Sequence, residues 1–238
     1  MNIYERKLKI RSCDVGADRL LRPSVLLTML QEAAIAHTEE LGMGREKTLD
    51  RGLLWIVTMQ DIRIARMPAY DEEITLFSHP GKTMHLLFPR FYEILDAEGQ
   101  CIVKGSAIWS LIDENTRALV FPEKYGIRIS GEAAPDDPAL PVPIHAFSCS
   151  ESREFTVPYS YIDLNRHMNN TRYLDLAEDC IHESVKGKAL QSIRIEFQRE
   201  VLQNDVITLS WGFENGRCLV TGAVEKPCFK IELTYAES

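Results

Sequence analysis

The segment YIDLNRHMNN, residues 161–170, sets Asp163, Asn165 and His167 at every second position. Ile162, Leu164 and Met168 alternate with them, and only Arg166 breaks the pattern. In an extended chain successive side chains point to opposite sides. The spacing therefore predicts a carboxylate, an amide and an imidazole on one side and mostly apolar groups on the other. Such a polar set can hold a reactant and move protons. The segment also runs straight into a helix pattern, for which Asn169 or Asn170 suits the N-cap and Thr171 the first residue. The first N–H groups of a helix lack internal partners and carry partial positive charge, which suits an oxyanion forming on a carbonyl.

Other chemistries leave no trace. There is no GxSxG elbow for a serine nucleophile. The six cysteines form no CxxC pair, and no histidine stands at a ligand spacing with Cys or another His. No metal and no cofactor is expected. The cysteine pattern fits reduced thiols in a cytosol.

The elements that must position the polar set occur twice. A weakly alternating strand, YERKLKIRS, precedes the helix pattern RPSVLLTMLQEAAIAHTEELG, which has Pro23 in its first turn and Gly42 as its stop. Val25 to Ala36 is apolar nearly all round, which predicts a helix buried on most sides. Four strand patterns follow: LLWIVTMQDIRIARM, EEITLFSH, HLLFPRFYEIL and CIVKGSAIWSLI, the last two joined by a DAEG turn. The second half repeats this order with SREFTVPYS, a helix over NTRYLDLAEDCIHESV, and then LQSIRIEFQREV, DVITLSWGFEN, RCLVTGAVE and CFKIELTYAE. IRI recurs at 62–64 and 193–195, and ITL at 74–76 and 207–209. Between the halves Pro122, Pro135, Pro138, Pro141 and Pro143 mark an extended linker that wraps the surface.

A sheet must curl about an all-round apolar helix to bury it. The expected fold class is thus α+β, with two tandem hotdog units in one chain. Residues 1–120 form the first unit, 121–150 a Pro-rich linker, and 151–238 the unit with the polar set. At the corresponding place the first half reads CDVGADRLLRPS, without His or Asn.

DLNRHMNNTRY closely resembles the D-x-N-x-H-x-N-N-x-x-Y signature of acyl-ACP thioesterases, which release fatty acids from acyl carrier protein. EFQRE, residues 196–200, matches a second family element, E-[FY]-x-R-E, on the following strand. WIVTMQDIRIARMPAYDEEI also resembles the corresponding family region. The resemblance implies catalytic roles for Asp163, Asn165, His167 and Glu200. Glu200 would take a proton from a water that attacks the thioester, while Asn165 holds the substrate or the water. His167 would polarise the carbonyl or pass a proton, and Asp163 would orient His167 or Asn165. Many plant members carry Cys directly after the Glu. Val201 stands there in this chain, so a thiol at that position is excluded. The resemblance places the acyl chain in the first unit, with Met29, Leu30, Trp55 and Met59 as candidate lining. Asn169, Asn170 and Thr171 are candidate substrate contacts at the helix start. Each polar residue also has an ordinary alternative: a turn carboxylate, a turn amide, a core histidine, a solvated strand end.

The chain has 238 residues and a formal net charge of −8. That balance argues against nucleic acid and against an anionic membrane surface. No apolar run approaches the roughly 20 residues of a membrane span. No secretory signal or transit peptide is legible, so the expected place is the cytoplasm. Residues 1–30 are locally basic, with Arg6, Lys7, Lys9, Arg11, Arg19 and Arg22 against Glu5, Asp14 and Asp18. With Arg166, Arg172, Lys186 and Lys188 they are candidates for meeting acyl carrier protein, an acidic protein bearing its acyl group on phosphopantetheine. An acyl-CoA thioesterase and a non-catalytic acyl-thioester sensor are the alternatives, and a homodimer is left open.

Overall fold

The computed structural model describes residues 2–236. Two helices and ten strands alternate along the chain in the order read from the sequence. The first half contains β1 (Tyr4–Lys9), α1 (Pro23–Glu40), β2 (Leu53–Ile64), β3 (Glu73–Pro80), β4 (Phe88–Leu95) and β5 (Cys101–Asp113). The second contains β6 (Glu151–Thr156), α2 (Arg172–Val185), β7 (Leu190–Phe197), β8 (Val206–Glu214), β9 (Arg217–Ala223) and β10 (Pro227–Tyr235). All ten strands join one antiparallel sheet, ordered β1-β3-β4-β5-β2-β7-β10-β9-β8-β6. From either edge inward the order is the same, so two hotdog units meet edge to edge at β2 and β7.

The repeated IRI words explain the seam. Ile62 of β2 pairs directly with Ile193 of β7, and both are fully buried. The repeated ITL words play the same part farther out, since Ile74, Leu76, Ile207 and Leu209 are all core residues. The outermost strands, β1 and β6, are charged along half or more of their length (YERKLK and ESREFT). Charge on an edge strand discourages pairing with another chain.

Pro23 opens α1 at its first turn, and Gly42 follows the helix with φ 69°, a left-handed conformation that glycine adopts without strain. The helix buries Leu26, Leu27, Leu30, Ala33 and Ala34. Its exposed stripe is Thr28, Glu32 and Ile35. Tyr173, Leu174, Leu176, Ala177 and Ile181 of α2 belong to the same core. Cys180, expected on that apolar face, is half-buried and packs at its margin.

After β5 the chain forms a strap across the outer face of the sheet. It leaves the first unit through Ser106 Oγ, which donates to the Ala139 carbonyl, and reaches the second through Arg194, which donates to the Val142 carbonyl. The Ile144 N–H then donates to Glu196, and Lys230 to the Ile144 carbonyl. Side chains of the sheet thus satisfy backbone groups that the prolines leave without a ladder. Ile127, Ile129 and Ile144 anchor the strap by burial.

Candidate active site

The segment expected to be extended is a tight hairpin. Ile162 and Met168 form a β-bridge, the Asp163 N–H donates to the His167 carbonyl at 3.0 Å, and the Arg166 N–H donates to the Asp163 carbonyl at 3.0 Å. Arg166 takes a left-handed conformation with φ 69°. The Asp163 carboxylate accepts the Asn165 N–H at 2.8 Å, an Asx-type turn. Alternation in the sequence therefore reflects a turn and not a strand. The expected apolar side also divides: Met168 is buried, Ile162 is half-buried, and Leu164 is 78% exposed.

The hairpin base is pinned where it matters. The Met168 N–H donates to the Val201 carbonyl at 2.8 Å, which brings the residues just before each of them together. His167 Nε2 lies 3.4 Å from Glu200 Oε1. The approach is close enough for a charge pair but is not aligned as a hydrogen bond, and Nε2 remains a buried nitrogen without a partner. A buried, unsatisfied polar atom beside a carboxylate marks a place for a ligand or water. The same Glu200 oxygen lies 3.3 Å from Arg117 Nη1. Arg117 comes from the first unit, in a turn where Asp113 accepts from the Asn115 and Thr116 N–H groups. The Asp113–Thr116 turn is legible in the sequence, but nothing there links residue 117 to residue 200.

The helix start differs by one residue from expectation. Thr171 is the N-cap and α2 begins at Arg172. Asn169 acts just before it, accepting from the Thr171 N–H at 2.9 Å and the Thr171 hydroxyl at 2.8 Å. The Arg172 N–H donates to the Asn169 carbonyl and the Leu174 N–H to the Thr171 carbonyl. Those three N–H groups are thus engaged locally and not free for an oxyanion.

A cavity of about 190 Å³ opens beside the hairpin. Its walls are mainly first-unit residues, including Ala34 and Ile35 of α1, Leu54 and Trp55 of β2, and Phe88 and Trp109, with Ile129 from the strap. Leu164 and Asn165 complete it from the second unit. Trp55 meets Phe88 edge to face at 4.8 Å. The other expected lining residues lie elsewhere. Leu30 is fully buried in the shared core, and Met29 packs against that core. A bulge in β2 between Val57 and Met59 shifts the alternation, so Met59 shares a face with Asp61 and Arg63. On the other side of the hairpin a groove of about 350 Å³ is lined by Thr28, Gln31 and Glu32 of α1 and by Asp163, Asn169 and Thr171. Asn170 is half-buried and lines neither space.

Burial sets the nearby titrations. His37 is held down to about 4, first by burial and then by the Arg90 charge beside it. Burial pushes Tyr92 up to about 12. It also raises Tyr173, with Glu200 among the negative charges that add to the effect. The basic residues are partly neutralised: Lys9 pairs with Asp71, Arg11 with Asp14, and Arg172 with Asp175. Among the described residues no three His, Cys, Asp or Glu side chains cluster as a metal site, and no helix is long and apolar enough to cross a membrane.

Comparison with known proteins bears on the family and the fold. The sequence model of the acyl-ACP thioesterase N-terminal domain matches residues 1–124, and that of the C-terminal domain matches residues 144–222. The chloroplastic acyl-[acyl-carrier-protein] hydrolase FATB2 of Cuphea viscosissima is 24% identical over 221 residues, 86% of this chain and 54% of that protein. The chain spans about half the length of the curated relatives it matches. An acyl-ACP thioesterase from Bacteroides thetaiotaomicron superposes with a TM-score of 0.85 at 18% identity, covering 98% of both chains. The 12:0-ACP thioesterase of Umbellularia californica gives 0.82 at 18% identity, covering 99% of this chain and 98% of that one. At these identities the structures establish the shared fold, and the two domain models, which together span most of the sequence, establish the lineage: the chain belongs to the acyl-ACP thioesterase family.

Proposed function

We propose that the protein hydrolyses the thioester of an acyl chain carried on acyl carrier protein and releases the free fatty acid. The observation that carries this reading is the hairpin, which stands between an apolar cavity and a polar groove and sets His167 against Glu200. Residues 1–120 would supply the acyl cavity, residues 151–238 the chemistry, and residues 121–150 the strap. The acyl chain enters the cavity, the pantetheine arm follows the groove, and the thioester carbon rests at the hairpin. Asn169 and Thr171 border that groove.

Glu200 accepts a proton from a water as the water oxygen attacks the thioester carbon. The carbonyl oxygen gains negative charge, which the side-chain amide of Asn165 and an N–H at His167 Nε2 stabilise. Collapse of the tetrahedral intermediate breaks the carbon–sulfur bond. The sulfur takes the proton held by Glu200, so acid and thiol leave and the site is restored. Asp163 works through the turn: its carboxylate fixes the Asn165 backbone and is a positioning group. Arg117 holds the oxygen of Glu200 that faces His167. The reaction is assigned to the cytoplasm, where six free cysteines stay reduced.

The test is a panel of acyl-ACPs and matching acyl-CoAs. We expect a higher kcat/KM on ACP at every active chain length, weakening as salt screens exposed charges beyond about 10 Å at 0.1 M. Equal kcat/KM on both carriers would reject the ACP assignment.

A further inference from the structure

Arg90 is a buried charge that this reaction does not use. It sits on β4, lines the first-unit cavity and is 4% exposed. Its partners are neutral. Nη1 donates to His37 Nδ1 at 3.1 Å and to Ser78 Oγ at 3.1 Å, and Nη2 donates to Thr38 Oγ1 at 3.2 Å. Among the described residues no carboxylate forms an ion pair with it, and burial lowers its proton affinity.

A guanidinium has five N–H groups and no acceptor. Three are used here, which leaves Nε–H and one N–H of Nη2. These two can grip both oxygens of a carboxylate side-on. A second donor lies in the same cavity. Trp55 Nε1 is buried without a partner, and indole can only donate. Three other polar side chains of the cavity already have partners. The Thr38 hydroxyl donates to the Ala34 carbonyl, the Thr48 hydroxyl donates to the Gly44 carbonyl, and Glu39 accepts the Arg45 N–H.

A plain alkyl chain in this cavity would strip water from the guanidinium and give no acceptor in return, which is costly for a buried charge. A chain bearing a second carboxylate would neutralise it. We propose that the cavity selects acyl groups that carry a carboxylate beyond the thioester, half-thioesters of dicarboxylic acids, with Arg90 gripping that carboxylate and Trp55 Nε1 donating to one of its oxygens. The claim about substrate rests on the thioesterase reading above; the claim about the carboxylate site does not.

Two measurements separate them. Wild-type protein and Arg90→Met are assayed on acyl-ACPs of equal length, with and without a terminal carboxylate. Hydrogen bonds to a buried charge lead us to expect about 10- to 100-fold higher kcat/KM for the carboxylate-bearing chain in the wild type, reversed in Arg90→Met. Calorimetry on the wild type alone then compares dicarboxylate mono-methyl esters with plain fatty-acid methyl esters, so the proposal stays testable if Arg90→Met does not fold. Tighter binding of the half-ester by about tenfold or more supports the site, even if no acyl-ACP is turned over and the thioesterase reading fails. Equal binding of the two esters overturns it. So does a free unsubstituted fatty acid that binds as tightly as the half-ester, because Arg90 would then be holding the product's own carboxylate.

Discussion

The loops that precede the two central helices have the same backbone and different chemistry. In the second unit Ile162 bridges Met168, Asp163 N–H donates to the His167 carbonyl, and Met168 N–H donates to the Val201 carbonyl. In the first unit Val15 bridges Leu21, Gly16 N–H donates to the Leu20 carbonyl, and Leu21 N–H donates to the Pro68 carbonyl. Arg19 and Arg166 occupy the same left-handed position, with φ 65° and 69°. Position by position, Gly16 stands where Asp163 is, Asp18 where Asn165 is, Leu20 where His167 is, and Met67 where Glu200 is. One frame was filled with a polar set, and its copy with Gly, Asp, Leu and Met. The frame fixes the geometry, and under the proposed mechanism a few side chains decide whether chemistry happens there.

The units differ in a second way. β2 and β5 run for 12 and 13 residues, whereas β7 and β10 run for 8 and 9. Four extra residues lengthen a strand by about 13 Å. The added length carries Leu53, Leu54, Trp55, Trp109 and, on neighbouring β4, Phe88, which line the cavity. One unit thus devotes its strand length to a cavity. The other carries the loop that closes that space.

The largest expected effect comes from making the second loop like the first. Glu200→Gln keeps shape and much of the hydrogen bonding but removes the proposed base. General-base assistance is worth about 100- to 10,000-fold, so kcat should fall by that range while KM and the unfolding midpoint stay near wild type. His167→Leu installs the first unit's residue and should also cost kcat heavily. Because the proposed mechanism has the two groups serve one step, Glu200 at the attacking water and His167 at the carbonyl oxygen, the double variant should lose little more than the worse single variant. Single-turnover rates on one acyl-ACP decide this. Near-wild-type turnover in Glu200→Gln would make His167 the base.

A smaller difference lies inside the helices. Unit one hides His37, held down to about 4, and unit two carries Glu178, pushed up to about 7 by burial and by Asp175, Asp179 and Asp18. The signs are opposite. The folded His37 binds its proton less readily than the unfolded one, so its contribution is full above about 6.5 and is lost as pH falls toward about 4. The folded Glu178 binds its proton more readily, so its contribution is full below about 4.5 and is lost as pH rises through about 7. Each shift corresponds to about 3 kcal/mol at most. Denaturant titrations across pH should therefore show His37→Gln gaining on wild type as pH drops from about 6.5 to 4. Glu178→Gln should gain on wild type as pH rises from about 4.5 to 7. Parallel pH curves for wild type and both variants would reject buried titration in either helix.

Much of this arrangement is legible in the sequence because it is periodic. The all-round apolar run Val25 to Ala36, the paired IRI and ITL words and the Pro-rich strap each map onto a single physical requirement. The site is legible as residues but not as geometry. Asp163-x-Asn165 reads as strand alternation, yet the short Asp side chain captures the backbone two residues on and makes a turn. Met59 is turned away from the cavity by a one-residue bulge, which periodicity cannot register. Arg117 and Arg90 give no signal. Arg117 reaches Glu200 across the unit boundary. Arg90 is an ordinary polar break in a strand pattern, and only the closure of α1 and β3 over it makes it a buried charge.

The smallest expected effect concerns Val201, next to Glu200 and matched in the first unit by Pro68. Val201 is fully buried, and its carbonyl is the anchor for the Met168 N–H. The Val201 side chain enters the core while Glu200, at 33% side-chain exposure, lies beside His167. A thiol placed there by Val201→Cys would be buried in apolar surroundings, which disfavours the reactive thiolate. The buried cysteines already present behave that way: burial pushes Cys218 up to about 12 and raises Cys228 as well. Val201→Cys should change kcat by less than about twofold and cost about 1 kcal/mol of stability, the scale of one lost methyl group. Turnover should also persist after exposure to a thiol alkylator, since no step uses sulfur as the attacking atom. A clear gain in kcat, or new inactivation by the alkylator, would show that the position reaches the thioester. The difference between the two loops would then extend beyond the four residues that now distinguish them.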